Sequence, residues 1–188
     1  METLVPAFVA VLLAQIFDPP ARLSAVLADR FGRRAGVTLG LALAHVMGFA
    51  LAAAGGAVLA PGMSSNARAL LLGVALIAAG AGGFPRPRLA DRLAGWRTGS
   101  VTTALLGIFI LAFGDRSQFL ALAIAAWGVA PALAAGGAAV AAIAVGAVAV
   151  VLGERAWCGW PRRPARLAVS ALFLTTGAWV AIRALRLS

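Results

Sequence analysis

The sequence predicts an all-α membrane protein, six transmembrane helices forming two inverted three-helix repeats. Composition is the first reason. The chain of 188 residues is 62% hydrophobic and 12% charged, whereas soluble domains are about half apolar and about a quarter charged. A soluble fold of this length cannot hide so much apolar surface. Second, the apolar residues fall in span-length runs separated by short, arginine-bearing connectors. Third, a shift of 97 residues lays the first run over the fourth, with Asp18 on Asp115, Leu23 on Leu120 and Ala28 on Ala125.

A crossing of ~30 Å needs ~20 apolar residues. The first such run, about 4–27, begins without a basic segment and is read as a span rather than a cleaved signal. It contains Gln15, Asp18, Pro19 and Pro20; the prolines cannot donate backbone hydrogen bonds, so the helix is disrupted there. "ADRFGRRAG" leads to the second run, 36–60, rich in small residues and holding the lone His45. "PGMSSNAR" leads to the third, 67–84. The basic linker "PRPRLADRLAGWRTGS" over 85–100 separates a first repeat at 1–84 from a second at 101–188. The fourth run, 101–128, is longer than the bilayer needs and has Gly114 beside Asp115, so it must tilt or break. "GVAP" makes a tight turn into the small-residue run 131–153, and "GERAWCGWPRRPAR" leads to the last, 167–185. Three spans per half is an odd number, so the second half crosses upside down relative to the first.

Arginine placement predicts orientation. Connectors one, three and five carry eleven arginines and connectors two and four carry only Arg68. The positive-inside rule then puts the odd connectors in the cytoplasm and the N-terminus outside, in a bacterial inner membrane. Arg183 and Arg186 run against that count. Trp96, Trp157 and Trp160 fall in the cytoplasmic connectors, in the headgroup zone that suits indole rings.

The net charge of +10 resides in arginines between apolar runs, a topogenic pattern rather than a nucleic-acid patch. A single Cys158 excludes an internal disulfide and any zinc pattern, and its position suggests an inert surface thiol. There is no Ser/His/Asp or Cys/His set and no phosphate-cradling glycine loop, so the chain reads as a non-enzyme without a cofactor. His45 reads as a helix–helix hydrogen-bonding residue, and the glycine pairs at 55–56 and 136–137 as points of close helix approach.

The matched acids therefore hold the chemistry. "FGDRSQF" at 113–119 resembles the second of two Glu-x-Gly-Asp-(Lys/Arg)-(Ser/Thr) motifs that mark the GDT family of membrane cation/proton exchangers. Gly114, Asp115, Arg116 and Ser117 match, and Gln118 follows; "QIFDPPAR" at 15–22 is similar to the first motif only at Asp18. Gln15 and Ala112 stand where the family has glutamates, and Pro19-Pro20 where it has a basic and a hydroxyl residue. The resemblance implies an integral membrane antiporter exchanging calcium or manganese for protons, with Asp18 and Asp115 as the central metal ligands.

Hard divalent cations want six or more oxygens, and affinity falls with ligand charge. Gln15, Ser117, Gln118 and carbonyls freed by the prolines could supplement Asp18 and Asp115. A carboxyl in a low dielectric holds its proton more readily, so protons and metal would compete for the same oxygens. Other roles stay open. Asp18 before proline suits a helix N-cap, and Asp115 could pair with Arg22 or another arginine. Arg116, adjacent to Asp115, points to a different face and is a poor partner for it. If Arg22 and Arg116 stay inside they cancel both acids; if they snorkel outward, a charge of about −2 remains. The family resemblance favours the second arrangement. Two further functions compete with cation exchange: a non-transporting or regulatory protein of the same fold, and an exporter of small organic ions.

Overall fold

The computed structural model describes residues 2–84, 92–159, 161 and 163–186, and among these it is helical without strands. The elements are α1 (Leu4–Gln15), α2 (Pro19–Phe31), α3 (Arg34–Leu59), α4 (Ser65–Ala81), α5 (Ser100–Ala112), α6 (Arg116–Trp127), α7 (Pro131–Gly159) and α8 (Arg163–Arg186). On length and composition α3, α7 and α8 can each cross a membrane. The pairs α1–α2 and α5–α6 reach span length only together, bent by 63° and 69°, and α4 is an apolar helix of 17 residues. The chain is an integral membrane α-protein with three full-length spans, or up to five when each bent pair counts as one.

Both bends follow from local chemistry. Pro19 and Pro20 open α2, and Asp18 before them has extended backbone, with φ −84° and ψ 150°. The chain closes a tight turn there, Asp18 N–H donating to the Gln15 carbonyl at 3.1 Å. The second bend needs Gly114, whose φ of +71° lies in the left-handed region that side chains disfavour. Its N–H donates to the Gln118 side-chain oxygen at 3.0 Å, tying the turn to the first turn of α6.

Small residues let the helices meet backbone to backbone, the packing mode of helices that lack a hydrophobic drive to associate in lipid. A side chain at Gly40 would strike the Val101 carbonyl, and one at Gly137 would strike the Leu4 carbonyl. These contacts correspond at the shift of 97: Gly40 matches Gly137, and Leu4 matches Val101. The α4–α8 contact behaves alike, Gly80 lying against Leu174 N and Gly177 against Ile77 N. Of the glycine pairs read as approach points, Gly56 abuts the Leu122 carbonyl and Gly137 the Leu4 carbonyl, whereas Gly136 has open space.

One expectation changes at the far end of the fifth run. Its helix breaks at Gly153 as expected, with φ +75° and ψ 175°, but a second, short helical stretch follows to Gly159. Asp29 seats the kink by accepting the Glu154 N–H at 2.8 Å. Trp157, beyond the break, is not at a surface: it is 4% exposed and packs with Ala21, Ala25, Val145 and Ala149. Of the basic linker at 85–100, residues 85–91, with Arg86 and Arg88, lie outside the described residues, as do Trp160 and Arg162. The described part is held by Arg30, which donates to the carbonyls of Arg92, Leu93 and Trp96.

Candidate functional site

The two bends bring their acids together. Asp18 bonds to Arg116 and Ser117, the two residues that follow Asp115, so the acids meet where the halves join. Asp18 stands at the N-cap position of α2 but does not cap it. Its Oδ1 accepts from Arg116 Nε at 2.6 Å and pairs with Arg116 Nη2, and its Oδ2 accepts from the Ser117 hydroxyl at 2.7 Å. Both carboxylate oxygens are thus occupied by α6.

Arg116 overturns the expectation that it snorkels to an interface. Its side chain is 14% exposed and lies inside, across from Asp18. The reason is the supply of orphan carbonyls at two helix ends, where a cation is favoured. Nη2 donates to Ala14 O at the end of α1 and Nη1 to Ala79 O at the end of α4. In α4 the Gly83 N–H turns back to Gly80 O, leaving Ala79 O for the guanidinium. Of the carbonyls freed by the prolines, Gln15 O takes the Asp18 N–H; its neighbour Ala14 O is shared by the Phe17 N–H and Arg116.

Asp115 behaves differently. Its Oδ1 accepts the Gln118 N–H at 2.8 Å and caps α6, while its Oδ2 is buried without a partner. The alternative of a pair with Arg22 fails: Arg22 reaches the Cys158 thiol at 3.4 Å. The shift of 97 explains the asymmetry. Arg116 and Ser117, which serve Asp18, correspond to Pro19 and Pro20, and prolines have nothing to donate to Asp115. Gln15 is 1% exposed, and neither atom of its amide has a partner. Gln118 uses its oxygen on Gly114, and its nitrogen packs against Gly48 of α3. Arg116, Ser117 and Gln118 are therefore committed to holding the bends, while Asp115 Oδ2 and the Gln15 amide keep unused polar atoms.

His45 is buried and stacks on Phe49, with ring centroids 5.8 Å apart. Among the described residues no three of His, Cys, Asp and Glu cluster as a metal site. The Ala14 and Ala79 carbonyls were not expected in the cluster; the glycines at 80, 82 and 83, which end α4, are the sequence feature that exposes the second.

An apolar helical chain with acid-bearing breaks in two of its helices has the construction of a membrane transporter. Residues 100–188 match the family model of the divalent cation/proton antiporter GDT1. At the level of the family the activity is cation/proton antiport, transport rather than catalysis. No curated protein and no solved structure matches the chain.

Proposed function

We propose that this protein exchanges Mn²⁺ or Ca²⁺ for protons, working as six crossings in two inverted repeats in a bacterial inner membrane. The observation that supports this most is the open Asp115 Oδ2, buried at the residue just before Arg116 and Ser117, which hold Asp18. The metal enters at Asp115 and the Gln15 amide oxygen. It gains Asp18 when Arg116 withdraws, with Ser117 and Gln118 supplying neutral oxygens. Proton and metal compete for the same carboxylates, which couples their gradients. The glycine contacts that recur at the shift of 97 support the repeat, and the arginine count supports cytoplasmic odd-numbered connectors.

The test is flux in proteoliposomes: Mn²⁺ or Ca²⁺ on one side should drive proton movement in the parent protein, and Asp115→Asn should abolish it. A parent protein that moves no cation overturns the reading. One observation favours a second reading, a non-transporting regulatory protein of the same fold: Arg116 already neutralises Asp18. That protein would show no flux and yet would need the ion pair for stability.

A further inference from the structure

The N-termini of α3 and α5 lie side by side, at the opposite end of α5 from Asp115. Gly36 permits this, since a side chain there would collide with the Ser100 hydroxyl. The first intrahelical bonds run from Val37 N–H to Arg33 O and from Thr103 N–H to Gly99 O. The N–H groups just before them lack helical acceptors, and no side chain caps either helix. Between the two ends opens a cleft of about 440 Å³, lined by Arg33, Arg34, Gly36, Gly99, Ser100 and Thr102.

Ser100 points to a ligand independently of the helix ends. It is 9% exposed and lines the cleft, yet its hydroxyl has no hydrogen-bond partner among the described residues. Arg33 and Arg34 are exposed, and neither is paired with an acid among the described residues. Aligned N–H groups, two parallel helix dipoles, a free hydroxyl and two guanidiniums are the donor set for a phosphate group.

We propose that this cleft binds a phosphate-bearing anion, supplied by an acidic lipid headgroup or by free phosphate. It sits where the chain is most arginine-rich, the side on which anionic headgroups gather if the charge rule holds. The site stands apart from cation exchange and does not depend on that proposal.

The full chain in detergent micelles is melted while sodium phosphate is titrated against sodium chloride of equal ionic strength. In parallel, phosphatidylglycerol is titrated against phosphatidylcholine. A saturable rise in melting temperature with phosphatidylglycerol alone identifies a headgroup site, and a rise with both anions identifies free phosphate as sufficient. Arg33→Gln with Arg34→Gln should weaken half-saturation by roughly tenfold or more, as loss of charge-assisted hydrogen bonds does. Arg155→Gln with Arg163→Gln removes the same charge elsewhere and should leave the response intact. Thr102→Glu, at an exposed position in the first turn of α5, should abolish the response while preserving the fold. No rise with either anion, or equal weakening in the Arg155/Arg163 control, overturns the proposal.

Discussion

Arg116 and Asp18, 98 residues apart in sequence, form a buried ion pair that joins the two halves of the chain. The guanidinium also closes the ends of α1 and α4 through Ala14 O and Ala79 O. Removing one partner of such a pair strands the other, at a cost of about 3–5 kcal/mol, whereas removing both costs less than the sum. Asp18→Asn, Arg116→Gln and the double variant should therefore show strong coupling in denaturant unfolding. Arg116→Gln should be the more damaging single change because it also orphans the Ala79 carbonyl. Additive effects would mean that the pair does not exist in the folded protein.

Asp115 separates a capping role from an ionic one. Asparagine caps a helix nearly as well as aspartate, whereas alanine costs ~1 kcal/mol. Asp115→Asn should then keep the unfolding free energy within about 0.5 kcal/mol of the parent. Asp115→Ala should lose the cap to the Gln118 N–H as well. If Asn destabilises as much as Ala, the unpartnered Oδ2 has a structural bond that this reading denies it.

The apolar runs and the two breaks were legible in the sequence because burial and proline act locally. Pro19-Pro20 and Gly114 broke their helices at the expected places. The course of Arg116 was not legible. Its fate depends on which carbonyls are orphaned nearby, and those of Ala14 and Ala79 lie 102 and 37 residues away in the chain. Trp157 was misplaced for a related reason: beyond the break at Gly153 the chain packs on α2, whose Asp29 accepts the Glu154 N–H. Both errors came from reading a charged segment by itself when its partner was supplied by the other half.

The backbone contacts predict opposite outcomes for two adjacent glycines. Gly136 has nothing within 4 Å of an added Cβ, while at Gly137 the added atom would run into the Leu4 carbonyl. Gly136→Ala should be neutral or stabilising by up to ~1 kcal/mol from helix propensity. Gly137→Ala must push α1 away and should cost about 1–3 kcal/mol, as overpacking does. Gly40→Ala should resemble Gly137→Ala, since it meets the Val101 carbonyl in the equivalent place. Thermal unfolding of the three variants checks the order; equal effects at 136 and 137 would put α1 elsewhere.

Gln15 offers the sharpest test of the cation proposal, because its amide is buried without partners. Gln15→Glu changes almost no volume and adds one carboxylate to the proposed ligand set. Without metal, an unpaired buried charge must destabilise the fold or take up a proton. With Mn²⁺ or Ca²⁺ the added ligand charge should raise affinity, so the variant should melt lower than the parent without metal and gain more on metal addition. A hundredfold excess of metal over its dissociation constant would contribute about 2.7 kcal/mol. A variant that melts lower and gains nothing from either metal would show that no cation reaches Gln15, and the proposed ligand set would fall with it.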